Sequence, residues 1–136
     1  MASVTERETQ QVEQANASGR TPVVFIHGLW LLPSSWDRWA TVFEEAGYAP
    51  VTPAWPDDPE TVEQARANPE VFARKTIGQI ADYTAEVIGK LTRKPAVMGH
   101  STGGLLAQMP DAACPPRRWR SIQGPSVACC RCRSPR

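Results

Sequence analysis

An α/β fold, a parallel sheet with flanking helices, is what this sequence predicts. Three observations carry the expectation. Short apolar runs alternate with segments of helical period. The runs are apolar throughout rather than on every second residue. The last of them leads into a serine turn bracketed by glycines. Continuous apolar runs suit strands buried on both faces, as parallel strands are, and strand–helix alternation implies right-handed crossovers.

The elements follow in order. Residues 1–20 are polar and charged without aromatics, which predicts a disordered leader. They hold no apolar core of the kind a secretory signal needs. Val23 to Ile26 is the first strand, ending at His27-Gly28. A helix follows, with Ser34 and Asp37 as an approximate capping pair. Trp36, Trp39, Ala40 and Phe43 fall on one face, so both tryptophans are expected in the core, and Gly47 ends the helix in a left-handed turn. Ala49 to Pro53 is a second strand, weakened by two prolines. Trp55 to Phe72 is expected to be irregular with short helical turns. Its acidic residues Asp57, Asp58, Glu60 and Glu63 are expected to form a solvated loop rather than a metal site. Thr76 caps a clearer helix carrying Ile77, Ile80, Ala81, Thr84, Val87, Ile88 and Leu91. Lys94 to Met98 is the third strand, and Leu105 to Met109 belongs to a further helix.

Composition bounds the function. The chain has 136 residues, 41% hydrophobic and 21% charged, with a formal net charge of +1. This suits one small domain and points to no nucleic-acid or membrane-surface partner. No apolar run approaches the ~18 residues of a membrane span, so a cytoplasmic protein is expected. Residues 110–136 break from the rest: every cysteine lies there, with six arginines and the single acid Asp111. The expected organisation is therefore a leader over 1–20, a domain over 21–109 and an irregular Arg/Pro/Cys-rich tail over 110–136. Cys129 and Cys132 form C-x-x-C, but with no nearby histidine they make a poor metal site.

The chemistry sits in Gly99-His100-Ser101-Thr102-Gly103, which fits G-x-S-x-G with a strand before it and a helix after it. In a nucleophile elbow the serine occupies a sharp, strained turn with its hydroxyl exposed. Gly99 and Gly103 would lie close together where side chains collide, and the following helix would favour developing negative charge. The competing reading is a plain Gly-rich β–α turn. His27-Gly28 after the first strand is the second element. The N–H groups of Leu29 and Thr102 are the candidate oxyanion-hole donors. Trp30 is either an acyl-pocket wall or core.

Val23 to Trp30, Pro33 to Trp39 and Val97 to Leu106 together resemble the α/β-hydrolase family, most closely the cofactor-free serine hydrolases of actinobacterial type. The resemblance spans residues 21–109 and implies the N-terminal half of that fold. It implies Ser101 as catalytic nucleophile, Leu29 and Thr102 as oxyanion donors, and His27, Gly28, Gly99, His100 and Gly103 as motif residues. It also implies no cofactor and no metal. A serine in this place, where some relatives have aspartate, implies esterase, lipase, thioesterase, C–C hydrolase or related acyl chemistry on a small-molecule ester or other acyl substrate, through an acyl-enzyme.

A serine hydroxyl needs a base. The chain holds two histidines, His27 and His100, both inside the motifs, and none follows Ser101. In this family the order is serine, then acid, then histidine. The expectation is therefore a truncated domain, inactive by itself, whose open sheet edge favours self-association or pairing with another chain. The tail composition is that of a GC-rich gene read out of frame, so a frameshift near residue 110 is expected.

Overall fold

The computed structural model describes residues 3–109, so the expectations for residues 110–136 lie outside the described residues. Strand β1 (Pro22–Ile26) lies between β2 (Ala49–Val51) and β3 (Ala96–Gly99), both parallel to it. Helices α1 (Glu6–Ser18), α2 (Asp37–Glu45), α3 (Val62–Ala67), α4 (Ile77–Gly89) and α5 (Thr102–Leu106) complete the order, with 3-10 turns at Pro33–Trp36 and Pro69–Phe72. All five residues of β1 are buried, as a continuous apolar run requires.

The two faces of the sheet carry different cores. Val24, Ile26, Val51 and Val97 meet Ile80 and Val87 of α4, Leu106 of α5, and Val12 and Ala15 of α1. Val23 and Phe25 point the other way, onto Trp36 and the partly buried Phe43, Ala96 and Met98. Phe25 sits 5.0 Å from the Trp36 ring and 5.3 Å, edge-on, from Phe43. Fully burying such side chains contributes about 1.5–3 kcal/mol each.

The expected disordered leader is overturned over most of its length. Residues 6–18 are helical. Thr5 caps α1 with Glu8 in a reciprocal capping box, and Gly19 closes it at φ 66°. The helix is held by tertiary contacts rather than by apolar content. The Gln11 side chain accepts from the Thr52 N–H (3.0 Å), Arg7 donates to the Thr52 carbonyl (3.0 Å), and Glu8 accepts from the Ala54 N–H (2.7 Å). These side chains occupy the backbone that follows β2. β2 is an edge strand among the described residues, where its Pro50 is tolerated.

Two details of α2 differ from expectation. Pro33 opens a 3-10 turn, so Ser34 lies inside it and makes no side-chain cap. The inward line is then Trp36, Ala40 and Phe43. Trp39, one position off that line, is 54% exposed rather than in the core. Elsewhere Gly47 takes the left-handed turn (φ 92°), and Thr76 caps α4 in a capping box with Gln79. No described helix is long and apolar enough to cross a membrane.

Candidate active site

β3 ends at Gly99, and the chain reverses into α5 through His100 and Ser101. Ser101 holds φ 56°, ψ −120°, a region costly for any residue with a Cβ and tolerated where surroundings enforce it. The enforcement is visible. The His100 N–H donates to the Ile26 carbonyl at the end of β1 (3.1 Å), and the Gly103 N–H donates back to the His100 carbonyl (2.9 Å). A Cβ on Gly99 would overlap the Gly103 carbonyl, and one on Gly103 would overlap the carbonyls of Ile26 and His27. Both glycines are there because three stretches of backbone meet.

The loop after β1 closes on the same point. A Cβ on Gly28 would lie 3.0 Å from the His100 carbonyl oxygen and 3.2 Å from Ser101 Cβ. The structure thus brings Gly28 against Ser101, with Leu29 following on one side and Thr102 on the other. Among the described residues, neither the Leu29 N–H nor the Thr102 N–H donates a hydrogen bond. The Gly28 carbonyl accepts from the Leu31 N–H (3.2 Å), turning the chain so that Trp30 sits at φ 67°. That is unusual for a bulky residue and marks a strained loop. The Trp30 ring is 64% exposed and packs 5.6 Å from Phe72, so it is not core. Leu29 and Leu105 are also exposed here.

The two histidines part ways. His100 is exposed on the turn. His27 is buried, stacked 5.1 Å from the Trp55 ring, with Nδ1 2.9 Å from the Gly28 carbonyl oxygen and Nε2 2.9 Å from Asp58 Oδ2. A carbonyl only accepts, so Nδ1 carries a proton. Both nitrogens are engaged away from Ser101.

Asp58 corrects the expectation of a wholly solvated acidic loop. Its side chain is fully buried, accepting from the Trp55 N–H (2.8 Å) and from Lys75 Nζ (2.8 Å) besides its contact with His27. The signal missed was the turn chemistry of Trp55-Pro56-Asp57-Asp58. Asp57 at φ 58° folds Asp58 back over Trp55. Among the described residues, no group of three or more His, Cys, Asp or Glu could hold a metal ion. A surface cleft of about 280 Å³, lined by Arg74, Lys75, Asp82 and Tyr83 among others, lies apart from the serine turn.

A family model described as alpha/beta hydrolase family matches residues 23–133. No curated protein and no solved structure gives a match.

Proposed function

The chain belongs to the alpha/beta hydrolase family, and we propose that Ser101 is a nucleophile for acyl transfer, with the Leu29 and Thr102 N–H groups as its oxyanion hole. The backbone of Ser101 carries this reading: a serine held at φ 56° on a strand-to-helix turn, pressed against the loop that follows β1. In the mechanism, Ser101 Oγ attacks a carbonyl carbon as its proton passes to a base, a role that added imidazole can fill. The carbonyl oxygen takes up negative charge between two N–H donors that donate to nothing else among the described residues. The tetrahedral intermediate collapses with loss of the protonated alcohol, and water later releases the acyl group as the acid. The exposed Leu29, Trp30 and Leu105 favour an apolar acyl group on a small ester, in the manner of esterases and lipases.

The same reading assigns no base within these 136 residues. His27 spends both nitrogens elsewhere, and no histidine follows Ser101. The 136-residue chain alone is therefore proposed to turn over negligibly. The test is p-nitrophenyl acetate with and without added imidazole, reading acylation of Ser101 by mass spectrometry against Ser101→Ala. The expected result is imidazole-dependent acylation lost in the variant, and no Ser101-dependent turnover without imidazole. Fast unassisted turnover would overturn the missing base. A folded chain never acylated at Ser101 would overturn the nucleophile.

A second reading has one observation behind it. β3 pairs only with β1 among the described residues, and Ala96 and Met98 on it are half-buried. A non-catalytic role, with that edge pairing with another chain, accounts for this. Light scattering that finds only monomer at high concentration would count against self-pairing.

A further inference from the structure

We propose that Asp58 is a positioning residue for the oxyanion loop, acting through His27 on the peptide bond between Gly28 and Leu29. The inference rests on the reading of the Leu29 N–H as an oxyanion donor. The carbonyl of Gly28 and the N–H of Leu29 belong to one planar peptide unit and point in opposite directions. Whatever fixes the oxygen aims the N–H. The oxygen is fixed by His27 Nδ1 at 2.9 Å, with the Leu31 N–H at 3.2 Å as second donor.

The ring of His27 is in turn held from three sides. Trp55 covers its face at an interplanar angle of 19°, the Gly28 carbonyl takes Nδ1, and Asp58 Oδ2 lies 2.9 Å from Nε2. Asp58 is itself oriented by the Trp55 N–H and by Lys75 Nζ, whose side chain is nearly buried. A line of contacts thus runs from Lys75 through Asp58 and His27 to the Gly28 carbonyl, spanning three separate stretches of chain. Among the described residues, Lys75, Asp58 and His27 make no hydrogen bond to Ser101. Their action is to restrict rotation of one peptide, in a loop whose left-handed Trp30 shows that it does not rest in a relaxed conformation. Groups around a catalytic centre act in this way when they lock the orientation of those that touch substrate.

The experiment uses the full chain in three variants: Asp58→Ala, Asp58→Asn and Lys75→Met. Two quantities are read in each: the imidazole-assisted rate of Ser101 acylation by p-nitrophenyl acetate, and the amide resonance and hydrogen-exchange rate of Leu29. Asp58→Ala is expected to slow acylation about tenfold or more, part of the roughly 10²–10³ that loss of a whole oxyanion donor costs. The ester concentration for half-maximal rate should not move, and the Leu29 amide should shift and exchange faster. Asp58→Asn keeps an amide beside Nε2 that can donate or accept a hydrogen bond and should recover most of the rate. If Asp58→Ala does not fold, Lys75→Met decides, with a smaller loss of about threefold and a shifted Leu29 amide. A folded Asp58→Ala or Lys75→Met whose Leu29 amide matches the parent overturns the proposal. Absence of Ser101 acylation in the parent chain overturns the nucleophile reading instead, and the Leu29 amide still decides what Asp58 does.

Discussion

Glu8 and Asp58 are both buried carboxylates with several donors, and they do different work. Glu8 accepts from the Ala54 N–H, from the Thr5 N–H and hydroxyl, and from a short bond to the Tyr83 hydroxyl. Those donors belong to α4, to the cap of α1 and to the backbone after β2, so Glu8 fastens a helix to a sheet. Asp58 gathers His27, Trp55 and Lys75, and the far end of His27 holds a loop peptide beside Ser101. Backbone strain separates the two regions. Trp30, Asp57 and Ser101, the non-glycine residues at positive φ among those described, lie on the loops of the serine turn and the Asp58 network. The left-handed residue that closes α1 is Gly19, for which this conformation costs little. A buried carboxylate stabilises in either place. What its donors hold at their other end decides whether it also shapes chemistry.

Removing Glu8 should have the largest effect of the changes considered. Glu8→Ala leaves the Ala54 and Thr5 N–H groups and the Tyr83 hydroxyl without their acceptor. Lost hydrogen bonds that leave buried donors orphaned cost about 1–3 kcal/mol apiece. Denaturant unfolding is expected to show a loss of at least about 3 kcal/mol, with Ser101 acylation unchanged in the folded fraction. A matching loss of acylation would mean that the two regions are one unit.

Tyr83 gives the next effect. Burial, and then the hydrogen bond to Glu8, push its phenol well above the ordinary value of 10.0. The folded state therefore holds this proton more tightly than the unfolded chain. The contribution is complete below the unfolded pKa and is lost as pH rises above about 10. Tyr83→Phe should cost about 1–2 kcal/mol at neutral pH and should flatten the fall in stability above that pH, as read by thermal melts across an alkaline series. An equally steep fall in the variant would place the alkaline sensitivity elsewhere.

The smallest expected effect has the opposite sign. Trp30→Gly relieves a left-handed conformation and should raise stability by up to about 1 kcal/mol while slowing imidazole-assisted acylation. Lower stability with unchanged acylation would mean that the contact with Phe72 outweighs the strain and that the loop does not depend on it.

The alternation of strands and helices is legible in the residues alone, because apolar runs and helical periods are local patterns. The serine turn is legible too. Gly99, Gly103 and Gly28 stand where backbones meet, and that need is written in the residue type. α1 was legible only in part. Thr5, Glu8 and Gly19 are capping residues, but the stripe between them holds little more than Val12 and Ala15, so polarity argued for disorder. Its stability comes from bonds to Thr52, Ala54 and Tyr83, dozens of residues away, which no local pattern contains. The same holds for Trp39, placed outside the core by a 3-10 turn that shifted the helical phase. Tertiary structure alone decided that Asp58 turns inward to His27 while its acidic neighbours face solvent. A carboxylate can be buried only where donors converge on it, and convergence is a property of the folded chain.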